Sequence, residues 1–274
     1  MDKKVPNKRF GLIGNPVAGS QSPRLFAAAY GGRYPYDLIE GAVFEASWQR
    51  FLDDYDGINI TAPFKPDAFR SVDRLSEGAR LCEAVNLAVK TPDGLVGYNT
   101  DVDGVVMSVE ETGLRVSDAL VVGCGGAGRA AAVAAMRLGC RVTLANRTAS
   151  RAAQLAARLG CAWAPLDGGA APEEGVPQGI PDGYSEGIPE SGAPAPVSAL
   201  SPDLVIYTVP GPLEGLPDFP DAIILEANYR TPCLQGRGKA YIPGLRWLLY
   251  QAVAGYEIFT GEKPDTDAMF RIFC

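Results

Sequence analysis

A run of four apolar residues, 119–122, leads directly into Gly123-Cys124-Gly125-Gly126-Ala127-Gly128, and an alanine-rich helical segment, 129–138, follows before the next apolar stretch at 141–145. No other feature of the sequence limits the fold as tightly. A strand that ends in closely spaced glycines, enters a helix at once and returns as a second strand within about 30 residues is a βαβ unit of a parallel sheet. In such a unit the glycine loop aims backbone N–H groups outward from the helix N-terminus, where unpaired donors and the helix dipole attract a pyrophosphate. Gly123 suits the tight turn and Gly125 the close approach of a ligand. Glycines also serve ordinary turns, and it is the flanking strand and helix that give these their meaning.

At the end of the second strand of a dinucleotide-binding unit, a carboxylate reads the 2′-hydroxyl of the adenosine ribose. This chain has Asn146-Arg147-Thr148 there, with Arg151 following. A guanidinium grips phosphate through two parallel bonds and stacks on adenine, whereas a carboxylate would repel it. A lone loop arginine is usually only solvated, but its place beside the glycine loop selects a 2′-phosphate. The expected cofactor is therefore NADP, held by Gly123, Gly125, Gly126, Ala127, Gly128, Asn146, Arg147, Thr148 and Arg151.

The 274 residues, 47% of them hydrophobic, can bury one large core or two modest ones. A formal charge of −7 argues against a nucleic-acid partner, which needs a broad basic face. No apolar run approaches the roughly 20 residues that cross a bilayer, and the charged residues 1–10 precede no apolar stretch of a secretory signal. The chain has no histidine, so Ser-His-Asp schemes, imidazole acid–base chemistry and histidine-bound zinc are excluded. Proton transfer falls to Lys, Tyr, Asp, Glu or Cys. The six cysteines, at 82, 124, 140, 161, 233 and 274, form no C-x-x-C pair, which fits reduced thiols in a cytoplasmic protein.

Ahead of the glycine loop, residues 10–13 read as a strand ending at Gly14-Asn15-Pro16, and Ser22-Pro23 opens a helix over 24–30. A helix over 44–53, a strand over 57–61 and a helix over 66–72 follow, so the opening third is itself α/β, and a second domain begins near residue 100. Seven prolines and seven glycines lie between Pro165 and Pro196, a composition that forms no regular element and reads as an acidic surface insertion. Beyond it, 204–209 and 222–226 read as strands and 245–260 as a long amphipathic helix.

The opening domain also carries Ser20, Ser22, Asn59, Thr61, Lys65, Asn86, Asn99, Thr100 and Asp101. Singly each has an ordinary explanation: Ser22 before Pro23 is a good helix cap, Asn59 and Thr61 alternate with apolar residues on a strand, and Lys65 could be solvated. Together they offer hydroxyls, amides, one ammonium and one carboxylate. That set suits a polyhydroxylated acid with a reducible carbonyl, and an ammonium beside a carboxylate can donate the proton that ketone reduction requires.

At these residues the chain resembles the shikimate dehydrogenase family. The resemblance rests on Gly14-Asn15-Pro16-Val17, Ser20-Gln21-Ser22-Pro23, Gly57-Ile58-Asn59-Ile60-Thr61-Ala62-Pro63-Phe64-Lys65, Ala84-Val85-Asn86 and Gly97-Tyr98-Asn99-Thr100-Asp101. It continues through the glycine loop, Asn146-Arg147-Thr148, Tyr229 near Thr231-Pro232, and Gln251-Ala252. It implies a substrate-binding domain of residues 1–100 plus 244–274, a Rossmann-like NADP domain of 101–243, and a central cleft. It further implies that Lys65 and Asp101 are the catalytic pair, that Ser20, Ser22, Thr61, Asn86 and Gln251 bind the substrate, and that Tyr229 lies at the interdomain cleft. The reaction implied is the reversible, NADP-dependent reduction of 3-dehydroshikimate to shikimate, without a metal, by a monomer or homodimer.

Departures from the family pattern cluster toward the expected nicotinamide end. Ile206-Tyr207-Thr208-Val209-Pro210-Gly211 replaces a usual Asn-Ala-Ser/Thr, Trp247 stands where methionine is common, Gly19 replaces a frequent histidine, and Glu226 a frequent aspartate. Two alternatives share the scaffold: a quinate/shikimate dehydrogenase of broader specificity, and a non-catalytic NADP-binding regulator, against which the retained Lys65 and Asp101 argue. A third, an interaction protein working through the proline–glycine insertion, lacks any aromatic or basic repeat there.

Overall fold

A computed structural model describes residues 8–167 and 194–273. The chain forms two compact units, the first ending at Gly104 and resuming at Leu249, the second spanning Val105–Leu248. The part of the expected insertion from 168 to 193 lies outside the described residues.

The first unit runs β1 (Phe10–Gly14), α1 (Ser22–Tyr30), β2 (Tyr36–Glu40), α2 (Phe44–Asp54), β3 (Gly57–Ile60), α3 (Lys65–Ser71), β4 (Arg74–Leu75), α4 (Glu77–Cys82), β5 (Leu87–Thr91) and β6 (Gly94–Tyr98), and ends within α5 (Asp101–Glu110). Its six-stranded sheet has the order β2-β1-β3-β5-β6-β4. β1 pairs in parallel with β2 and β3, while β5 runs antiparallel to β3 and β6. That mixed pairing brings the carboxyl ends of β1, β3 and β6 and the amino end of β5 to one edge of the sheet. All five residues of β1 are buried, as expected of a parallel strand covered on both faces. On α2, Phe44, Trp48 and Phe51 fall on one helical face and pack with Ile58 and Val85.

The second unit continues with β7 (Asp118–Val122), α6 (Gly126–Arg137), β8 (Arg141–Ala145), α7 (Ala149–Leu159), β9 (Ala162–Trp163), β10 (Leu204–Tyr207), β11 (Ile223–Glu226) and β12 (Ala240–Pro243). Its strands are parallel throughout, in the order β12-β11-β10-β7-β8-β9. The chain winds outward in one direction from β7 and in the other from β10, so a topological switch point falls between them. In open sheets of this kind a ligand binds in the crevice beyond the carboxyl ends of the strands at that point. The six residues 130–135 of α6 are buried, five of them alanines, and such small side chains let the helix lie close to the sheet. The α6 helix starts at Gly126 rather than at 129, so the end of the glycine loop is also the first helical turn.

The chain closes with α8 (Gly244–Thr260) and α9 (Thr266–Phe270), and the division between the units falls inside α8. From Leu249 onward α8 packs within the first unit. The Phe259 ring stacks on Phe10 at 4.8 Å, and the Tyr256 hydroxyl donates to the Ser22 carbonyl at 3.1 Å. A Cβ on Gly57 would lie 2.7 Å from the Phe259 ring, and one on Gly255 would lie 2.9 Å from Leu87, so both glycines permit this close seating. Among the described residues no helix is long and apolar enough to cross a membrane, and no cluster of metal-ligating side chains occurs.

Candidate active site

Lys65 opens α3 and Asp101 opens α5, both at the converging edge of the first sheet, and their side chains meet with Nζ 2.6 Å from Oδ2. The pair is partly buried, with 29% of the lysine and 18% of the aspartate side chain exposed, so it is held in place yet open to a ligand. A carboxylate in the first turn of α5 also sits favourably at the positive end of the helix dipole. Buried Asn99 fixes it, accepting from the Asp101 N–H at 3.2 Å while its amide donates to the Ala84 carbonyl at 3.1 Å.

Asn86, just before β5, accepts from the Thr100 N–H at 2.8 Å and donates to the Thr100 hydroxyl at 3.2 Å. The same hydroxyl lies 3.4 Å from Oε1 of Gln251, which brings α8 to this edge. Ser20 and Ser22 sit beyond the carboxyl end of β1, their hydroxyls 3.1 Å apart. Ser22 is not the cap of α1: the cap position is Gln21, without a side-chain bond, and Ser20 instead accepts from the Ser22 N–H at 3.2 Å. Thr61 follows β3, its N–H bonded to the Ile13 carbonyl at 3.0 Å. A Cβ on Gly14 would lie 2.3 Å from the Thr61 methyl, which is why glycine ends β1 here. Ser20, Ser22, Thr61, Lys65, Asn86, Asp101 and Gln251 thus share one edge of one unit.

Two tyrosines that the sequence pattern does not single out brace this edge. The Tyr36 hydroxyl donates to Asn59 at 2.8 Å, and Tyr256 fixes the Ser22 carbonyl, as described above. Burial pushes both phenols well above their ordinary range, so they remain donors. The alternation of β2 could have drawn attention to Tyr36; nothing local marks Tyr256.

Tyr229 belongs to the second unit, in the loop after β11, and is 44% exposed. Asn228 braces its loop, donating to the Thr231 carbonyl at 2.9 Å. Glu226, fully buried, accepts from the Cys233 and Leu234 N–H groups at 2.7 and 3.0 Å and from the Tyr241 hydroxyl at 2.9 Å.

The glycine turn leaves its backbone open at the start of α6. Gly123 has φ +105°, and a Cβ on Gly128 would lie 1.8 Å from the Gly123 carbonyl oxygen, so α6 can meet the turn only without a side chain there. Around Gly125 and Gly126 an added Cβ would meet nothing within 4 Å, which leaves the backbone open to a ligand. Asn146 ties the end of β8 to this turn, accepting from the Cys124 N–H at 3.3 Å and donating to the Thr148 carbonyl at 3.0 Å. Beside the turn is a hollow of about 500 Å³ walled by Cys124, Gly125, Arg129, Arg151, Gln154 and Arg158. Arg147 is exposed and outside that wall. Burial raises the Cys124 thiol to about 11 while Arg129 and Arg151 pull it down, so both cations bear on the mouth of the turn.

Of the departures, Gly19 faces open space, where a Cβ would meet nothing within 4 Å. Trp247 is buried in α8. Tyr207 is fully buried and donates to the Gly211 carbonyl at 2.6 Å. Among the described cysteines none forms a disulfide.

An ammonium–carboxylate pair amid hydroxyls and amides, with an all-parallel sheet whose glycine turn borders a cationic hollow, defines a two-unit α/β protein of the pyridine-nucleotide oxidoreductase class. The chain belongs to the shikimate dehydrogenase family. It is 35% identical over 286 residues to the NADP+ shikimate dehydrogenase of Rubrobacter xylanophilus, covering 95% of this chain and 93% of that protein. Residues 12–88 match the family described as shikimate dehydrogenase substrate binding domain, and 244–269 that described as shikimate 5′-dehydrogenase C-terminal domain. Residues 118–200 match an FAD binding domain family, a likeness that begins on the strand–glycine–helix unit common to dinucleotide-binding sheets. Among solved structures, shikimate 5-dehydrogenase from Thermus thermophilus, in complex with NADP(H) and shikimate, superposes with a TM-score of 0.76 at 26% identity, covering 96% of this chain and 97% of that one. An Ael1 enzyme from Pseudomonas putida superposes with a TM-score of 0.78 at 27% identity, covering 97% of each chain.

Proposed function

We propose that this chain catalyses the reversible, NADP-dependent reduction of 3-dehydroshikimate to shikimate, in the cytoplasm, as a monomer or homodimer. The observation that carries the reading is the Lys65–Asp101 pair, 2.6 Å apart and partly exposed at an edge crowded with hydroxyl and amide groups. The first unit, which ends at Gly104 and resumes at Leu249, serves as the substrate domain and the second, Val105–Leu248, as the cofactor domain. Ser20 and Ser22 offer two adjacent hydroxyls to the substrate carboxylate, Thr61, Asn86 and Gln251 meet its ring hydroxyls, and Tyr229 is a further substrate-binding residue.

The residues present fit a dinucleotide phosphate: an open glycine backbone at a helix N-terminus, Asn146 and Thr148 at the end of β8, and arginines at 147 and 151. When bound, NADPH supplies the hydride. The Lys65 ammonium donates its proton to the ketone oxygen as negative charge develops there, and in the reverse direction the neutral amine takes the proton back from the alcohol. Asp101 holds Nζ in place, 2.6 Å from its Oδ2. No step requires a metal.

The test is Lys65→Ala. Loss of a positioned acid–base group typically costs about 10²- to 10⁴-fold in rate. Turnover with NADP+ and shikimate should fall by that order while equilibrium binding of shikimate, which draws on the other side chains of the edge, persists. A variant turning over at a near-normal rate would refute the proton-donor role.

A further inference from the structure

On α7, Arg151, Gln154 and Arg158 stand at i, i+3 and i+7, a spacing that places them on one helical face, and all three border the hollow beside Gly125. Arg129 of α6 closes the same hollow. Of the two cations that the sequence pattern singles out, Arg151 lines the hollow and Arg147 lies outside the wall. The hollow next to the glycine turn is bordered by three arginines together with Gln154 and the apolar Leu155, so it offers an anionic group several guanidinium donors.

Resting on the function proposed above, we propose that Arg158 is a specificity-determining residue that joins Arg151 in gripping the 2′-phosphate of NADP. Its place in the last turn of α7 also lets it offset the helix dipole, a role indifferent to which nucleotide is bound. The two roles separate cleanly, because only a phosphate contact distinguishes NADP+ from NAD+.

The experiment measures dissociation constants of the full-length protein for NADP+ and NAD+, for wild type, Arg158→Gln and Arg158→Lys. One charge-assisted contact to phosphate at a solvent-exposed site corresponds to about a tenfold change in affinity. The expected result is about tenfold weaker binding of NADP+ by Arg158→Gln, unchanged binding of NAD+, partial recovery in Arg158→Lys, and a loss that shrinks at high salt. Equal weakening for both nucleotides, or none for either, overturns the inference. A wild type that does not prefer NADP+ instead sinks the functional reading on which it rests, so the two failures are distinguishable.

Discussion

Tyr207 shows what a single side chain can do for a cofactor crevice. It stands at the carboxyl end of β10, beside the switch point, and its hydroxyl closes the 208–211 loop onto itself through the Gly211 carbonyl. Thr208 ties the same loop to the end of β7 by donating to the Val122 carbonyl at 2.9 Å. Burial pushes the Tyr207 phenol up to about 12, so it stays a donor across the working pH range. A neutral hydrogen bond is worth about 1 kcal/mol net. Tyr207→Phe should therefore raise the KM for NADPH several-fold while leaving kcat at saturation and the KM for dehydroshikimate close to wild type. Steady-state kinetics with each substrate varied in turn checks this, and an unchanged nicotinamide KM would remove Tyr207 from the crevice's support. The sequence marks this residue as a departure but cannot show the bond it makes, because that bond is to a backbone carbonyl four residues on. Lys65 and Asp101, by contrast, are legible as side-chain chemistry, and the structure brings them together.

At the scale of elements, the parts that read clearly are those whose local signal and tertiary role agree. The apolar runs at 10–13, 57–61, 119–122 and 141–145 appear as β1, β3, β7 and β8, and the glycine loop lies where a parallel sheet needs it. The strand expected over 204–209 stops at Tyr207, because Thr208 turns its hydroxyl back to β7 and Gly211 adopts a positive φ. The β5–β6 hairpin is absent from the sequence reading, although Pro92-Asp93-Gly94 is a turn signature and Gly94 has φ +108°. It is two short strands inside a sheet that is otherwise mostly parallel, so a βαβ expectation passes over it. The α7 helix buries three alanines with Leu155 and Leu159 on one side and exposes Arg151, Gln154 and Arg158 on the other, a helical period that is present in the sequence but absent from the sequence reading. Without α7, Arg158 has no visible tie to the cofactor, since helical spacing is what relates it to Arg151.

At the scale of the whole molecule, many acidic protons are buried in both units. Burial lifts the thiols of Cys124, Cys140 and Cys233 to about 11 and that of Cys161 to about 12, and the phenol of Tyr30 to about 12. In the unfolded chain, thiols ionise near 8.5 and phenols near 10. Between roughly pH 9 and 12 the unfolded chain therefore binds fewer protons than the folded one, so stability falls as pH rises through that window. Thermal unfolding should show Tm nearly level from pH 7 to about 8.5 and dropping steeply above about 9.5; a Tm that holds to pH 11 would contradict these burial assignments.

The central claim is the NADP-dependent interconversion of shikimate and 3-dehydroshikimate, and initial rates test it most directly. The rate of nucleotide reduction is followed at the nicotinamide absorbance with shikimate and with quinate, each paired with NADP+ and with NAD+. The structure and family predict rapid turnover for shikimate with NADP+ and much slower turnover in the other three pairings. Absence of turnover in all four would contradict the account and make this a nucleotide-binding protein that keeps the scaffold without the chemistry.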